Sequence, residues 1–305
     1  MTDVEEGLGR IIEAMGALDE AMGQPSMLVA SSWREDAAVN FDEDAARYAA
    51  RVVEALADSE AARVTLILCG EGGRAAFADG VRRALLGWEI AYDVCVVDRA
   101  RGALAALALS ASRIVLAPGA GVGAPDTGPT GGQATGSWAP EIARHIPAHL
   151  DMKNPLSARR ALSYAHASRQ AELALHLTTT VATERGIDPR ELIARLGMRR
   201  QGTELAAGPA ALNALGLDAS WARGHTRDAL RALERALEDA LSLRAAPQPR
   251  YEELDFADTV EFAPATRLPG ALVLSSTVGF VYLLDTGSPD PDTGLYQGDW
   301  LPADA

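Results

Sequence analysis

At 305 residues, with 48% hydrophobic and 23% charged residues, the chain is long enough to bury a large core and falls in the globular range, as one large domain with additions or as two domains. A formal net charge of -14 and a pI near 4.8 exclude nucleic acid as an expected partner, because nucleic-acid binders concentrate Lys and Arg to release counterions from phosphates. Lys153 is the single lysine, so the positive charge is otherwise arginine, and no function is read into that bias.

The amino-terminal stretch from Met1 to Gly23 is acidic where a signal peptide would be basic, and carries Leu8, Ile11, Ile12 and Met15 as an amphipathic pattern. Nowhere does an apolar run approach the roughly 18 residues that span a bilayer, so a cytoplasmic protein without a membrane partner is expected. Ser26 to Ser32 has strand character. A helix follows, which Asn40 or Asp42 can cap, with Glu43 and Asp44 in its first turn and Tyr48, Val52, Val53 and Leu56 at helical spacing. The β-rich run Val64 to Cys69 breaks into Gly70-Glu71-Gly72-Gly73, and from Arg74 the pattern is again helical, with Phe77, Val81 and Leu85 on one face and Gly87 placed to end it. Tyr92 to Val97 is the next strand. The stretch Gly102 to Ala111 is apolar nearly all round and predicts a buried helix, and Ile114 to Leu116 a short buried strand. Repeated strand–helix units call for a parallel sheet whose strand carboxyl ends present loops to a site.

Residues 119 to 136, rich in Gly, Pro and Thr, read as a long loop of the kind that is often functional. A long helical stretch is predicted from Leu156 to Thr183, and another helix opens at Asp188-Pro189 and stops at Gly197. Leu230, Leu233, Leu237 and Leu241 form a stripe suited to another helix or to a neighbouring subunit. Ala245 to Arg250 reads as a linker, and the tail returns to strand at Ala271 to Leu274 and Val278 to Leu284 before an acidic Pro/Gly-rich end. The two cysteines, Cys69 and Cys95, lie in apolar runs without C-x-x-C spacing, so neither a disulfide framework nor a zinc site is expected.

The pattern LILCGEGG, a strand ending in glycines that open a helix, places backbone N–H groups beside a helix amino terminus, where an oxyanion is held. A tight turn that merely needs glycine explains Gly72 and Gly73 as well. The order of motifs adds weight: this turn, a second strand, the small-residue helix, the strand Ile114 to Leu116, then Gly121-Val-Gly-Ala-Pro-Asp126 and, further on, Ala211-Leu-Asn-Ala-Leu-Gly-Leu-Asp218. The succession resembles the ClpP and signal-peptide-peptidase group, and most of all the serine dehydrogenase proteinase family, over about residues 26 to 218. The resemblance implies an α/β fold: a ClpP/crotonase-like core of repeated strand–helix units with a parallel sheet, plus helical additions. It also implies a homo-oligomer. The chain is expected to divide into a ClpP/crotonase-like domain over 1–220, a helical segment and linker over 221–250, and a β-containing extension over 251–305.

Departures from the family pattern bear on catalysis. Gly102 stands at the position of the nucleophilic serine and Leu104 at that of a following glycine, so the hydroxyl is missing and a bulky side chain crowds the site. Glu71 replaces a proline of the turn and sets a carboxylate where an oxyanion would develop. No histidine lies in the 119 to 136 loop, where the family resemblance places a base. His145 and His149 come later, as a base or as plain surface or core residues, Lys153 imitates a lysine base or is a solvated surface residue, and Asp126 serves the family's loop or stabilises a turn. Substitute nucleophiles are Ser110, more than two turns along the same helix, and Cys69, whose thiol a nearby helix amino terminus would activate unless it is a buried inert cysteine. Three functions stay open: a pseudoenzyme that binds a protein or peptide partner, a hydrolase with an unrecognised nucleophile, and a crotonase-type acyl-CoA enzyme needing only an oxyanion hole. The acidic balance disfavours the last, and neither cofactor nor metal is expected.

Overall fold

The computed structural model describes residues 2–32, 41–70, 73–125, 172–196, 206–241, 267–285 and 298–303. Strands β1 (Ser26–Ser31), β2 (Arg63–Gly70), β3 (Ala91–Ala100) and β4 (Ile114–Leu116) run parallel, joined by helices α2 (Glu43–Asp58), α3 (Ala75–Gly87) and α4 (Ala103–Ser110). The short β5 (Gly121–Val122) pairs with the end of β3, and β6 (Ala219–Trp221) adds parallel to β4. On the other side of β1 the direction reverses: β7 (Arg267–Leu274), β8 (Gly279–Asp285) and β9 (Gly298–Pro302) are antiparallel. One sheet results, in the order β6-β4-β3-β2-β1-β7-β8-β9, so the C-terminal strands continue the central sheet.

All six residues of β1 and all but the first of β2 are buried, as expected of parallel strands covered on both faces. α2 and α3 pack on each other, α2 against β7 and α3 against β3 and α4. α2 begins where the sequence places it, because the Asp42 carboxylate accepts from the amides of Asp44 (3.0 Å) and Ala45 (3.1 Å). The other layer is α1 (Thr2–Met22) with α8 (Gly224–Leu241), which contact each other and reach β1, β3 and β7.

The leucine stripe, suited to another helix or to a neighbouring subunit, takes the first of these and packs on α1. Leu230, Leu233, Leu237 and Leu241 are fully buried, and so are Ile11 and Leu18 of α1. The two helices run antiparallel, with Ala240 Cβ 3.3 Å from where a Gly7 Cβ would stand and Arg10 paired to Asp239 at 3.0 Å. Each leucine so buried contributes about 1.5–3 kcal/mol relative to exposure.

The remaining described helices are α5 (172–184), α6 (Pro189–Leu196) and α7 (Pro209–Asn213). Of the long helix predicted over 156–183, residues 172–183 are helical and the earlier part lies outside the described residues. The Asp188 carboxylate accepts from the Arg190 amide at 2.8 Å, as the proline-led helix start requires. The Ala211 to Asp218 segment leads into β6 through Asn213, whose amide group exchanges two hydrogen bonds with the backbone of Ala219 (2.8 and 2.9 Å).

Candidate functional site

The carboxyl ends of β1, β2 and β3 come together at Ser31, Gly70 and Ala100. Gly70 O accepts from the Arg101 amide (3.3 Å), and Ala100 O accepts from the Gly123 amide (2.8 Å). The Gly102 amide donates to Ala124 O at 2.9 Å. These bonds draw the end of β2, the start of α4 and the first part of the Gly121 to Asp126 segment into one unit. Asp126, like Glu71, Gly72, His145, His149 and Lys153, lies outside the described residues.

Gly73 turns the chain from β2 into α3 with φ +83, a conformation costly for any residue with a Cβ. A Cβ there would stand 3.0 Å from Ala103 Cβ and 2.9 Å from Phe41 Cβ, so the turn lies flush against the first residue of α4. Two helices therefore start at the same edge of the sheet, α3 after its N-cap Arg74 and α4 after its N-cap Gly102. Neither receives a side-chain cap, whereas α2 does. Uncapped helix starts carry backbone N–H groups and the positive end of the helix dipole, which favour an anionic or carbonyl oxygen.

Gly102 itself has φ 60 and ψ -127. This is a sharp strand-to-helix turn in a region that side-chain-bearing residues enter only under strain, the kind of turn on which a nucleophilic serine is held in hydrolases. Here the position is buried and has no side chain. Leu104, two residues on, is fully buried among the largest core side chains.

The substitute nucleophiles lie elsewhere. Cys69 is fully buried inside β2, and burial, followed by the charges of Asp98 and Glu234, pushes its thiol up. Of the two alternatives for Cys69, activation by a nearby helix start or a buried inert cysteine, this burial favours the second, because desolvation of a thiolate outweighs a distant dipole. Cys95 is also fully buried, and burial pushes its thiol up to about 12. Ser110 is at the far end of α4, about 12 Å along the helix axis from Gly102, with its hydroxyl donating to Ala106 O at 2.8 Å. Two described histidines, His176 and His225, are exposed on α5 and α8.

Two residues of this edge are absent from the sequence reading. Phe41 is fully buried, rests on Gly73, and accepts the Arg74 amide at its carbonyl (2.7 Å). Ser31 is also fully buried, with an unpartnered hydroxyl beside Gly70, whose missing Cβ makes room for it. A lone phenylalanine before a cap and a serine at a strand end give no local signal of either arrangement. Among the described residues no cluster of three or more His, Cys, Asp or Glu is arranged to hold a metal, and no helix is long and apolar enough to cross a membrane.

No family model matches the chain, and no curated protein matches it. Solved structures do. A lysine-to-alanine mutant of the 1510-N membrane-bound stomatin-specific protease, in complex with a substrate peptide, is 16% identical over 65% of this chain and 74% of that one, with a TM-score of 0.40. A serine-to-alanine mutant of the same protease is 14% identical over 72% and 85%, with a TM-score of 0.38. A mutant of ClpP1 from Listeria monocytogenes is 10% identical over 70% and 98%, with a TM-score of 0.41.

Proposed function

We propose that this chain is a catalytically degenerate relative of ClpP-type serine peptidases, a subunit of a homo-oligomer that holds a protein or peptide partner and forms no acyl-enzyme. The observation that carries the reading is Gly102, which keeps the backbone turn of a nucleophile, φ 60 and ψ -127 at the start of a buried helix, and lacks the nucleophile. Covalent catalysis needs a nucleophile, a base within hydrogen-bond reach and an oxyanion hole acting as a unit. The first of these is missing at Gly102, and neither Cys69 nor Ser110 is placed to supply it. Turnover of unfolded casein tests the reading: the purified chain is expected to give none, and hydrolysis that tracks the protein through gel filtration would refute it.

One observation favours a second reading. The uncapped starts of α3 and α4 meet at Gly73 and Ala103, and an oxyanion hole without a nucleophile suffices for crotonase-type chemistry on an acyl thioester. Calorimetric titration with an acyl-CoA separates the two, since saturable binding belongs to the second reading alone.

A further inference from the structure

A group of aromatic residues lies behind Gly73. Phe41 sits on the turn, its ring 4.8 Å from Phe77 and 6.3 Å from Trp300 of β9. Trp300 in turn lies 5.9 Å from Tyr48 and 5.5 Å from Tyr282, and Tyr48 is 4.6 Å from Phe280. A continuous set of ring contacts thus runs from the last strand of the sheet to the glycine turn at its centre.

The two ends of this set are held very differently. Gly73 belongs to the buried centre, whereas β9 is an edge strand, pairs only with β8 among the described residues, and has no fully buried residue. The Gly298 amide adds one bond, to the Tyr282 hydroxyl, at 2.9 Å. Edge strands with few buried contacts open at a lower free-energy cost than the core.

We propose that β9 is a latch on the glycine turn. With β9 paired, Trp300 backs the Phe41 ring, Phe41 holds the Arg74 amide through its carbonyl, and the side of Gly73 away from Ala103 is closed. With β9 detached, Phe41 loses that ring contact, and the Phe41 carbonyl and the Arg74 amide part together, opening the turn. Anything that binds the open turn then competes with β9 pairing, and anything that binds β9 biases the turn, as linkage between two states requires. The latch is a property of the contacts, independent of whether any acyl group is bound, so its failure is distinct from failure of the catalytic reading.

Amide hydrogen exchange on the full chain tests it, comparing wild type, Trp300→Ala and the milder Trp300→Leu, with Phe41→Leu as the reverse probe. Both Trp300 variants are expected to exchange the Arg74 amide and residues 41–46 faster, by tenfold or more in Trp300→Ala, while β3 and β4 stay at wild-type protection. Phe41→Leu should release the Arg74 amide and, by the same linkage, speed exchange in β9. Unchanged exchange at Arg74 in both Trp300 variants would overturn the proposal, and so would equal acceleration in β3 and β4, which marks general destabilisation.

Discussion

Gly73 and Ala103 stand so close that a Cβ on the glycine would lie 3.0 Å from the Cβ of the alanine. Phe41 closes the opposite side at 2.9 Å, and φ at Gly73 is +83. Strain of this kind costs about 1–3 kcal/mol for a residue with a side chain, and a bulky one adds the collision. Gly73→Val is therefore expected to destabilise the protein by at least about 1 kcal/mol in urea denaturation, with Gly73→Ala showing the smaller, conformational part. A midpoint identical to wild type in both variants would mean that the turn is not built this way.

Both thiols are predicted to be silent in the folded protein. Cys69 and Cys95 are fully buried, and burial pushes both thiols up, Cys95 to about 12. A thiol reagent at pH 8 should modify neither until denaturant is added, and then both. Rapid reaction of one thiol in the native state would restore Cys69 as a candidate nucleophile.

The helix α2 was legible because its signals are local: Asp42 as cap, acidic residues in the first turn, and apolar residues at one spacing. The parallel strands were legible because burial on both faces makes them continuous apolar runs. β6 and β9 were not, since Ala219–Trp221 and Gly298–Pro302 become strands only by adding to strands already in place. The pairing of α1 with α8 was hidden for a related reason: each stripe is visible alone, and only the fold brings residues 7 and 240 together. At the candidate site Gly73 is visible as a glycine between a strand and a helix and Gly102 as the start of a small-residue helix, while the roles of Phe41 and the buried Ser31 depend on contacts far along the chain.

A carboxyl group in α1 gives a pH dependence. Burial holds Asp19 above the ordinary Asp range, with Ser26 offsetting this only in part. The folded state therefore keeps the proton to higher pH than the unfolded chain, and stability falls as pH rises from the unfolded-state value through the folded one. Asp19→Asn removes this cost, so the variant should gain on wild type at pH 7 and lose the advantage under acid conditions where wild-type Asp19 is protonated in both states. Thermal melts at the two pH values check it, and an advantage equal at both would assign the effect to something other than titration.

Fluorophosphonate labelling of wild type and Gly102→Ser bears on the proposal that Gly102 keeps a nucleophile's turn without the nucleophile. The variant is expected to be less stable by about 1–3 kcal/mol, because serine must adopt φ 60 and ψ -127. Neither protein is expected to be labelled, since restoring one member of a catalytic unit leaves most of the barrier in place. Stoichiometric labelling of the wild type would contradict the account outright.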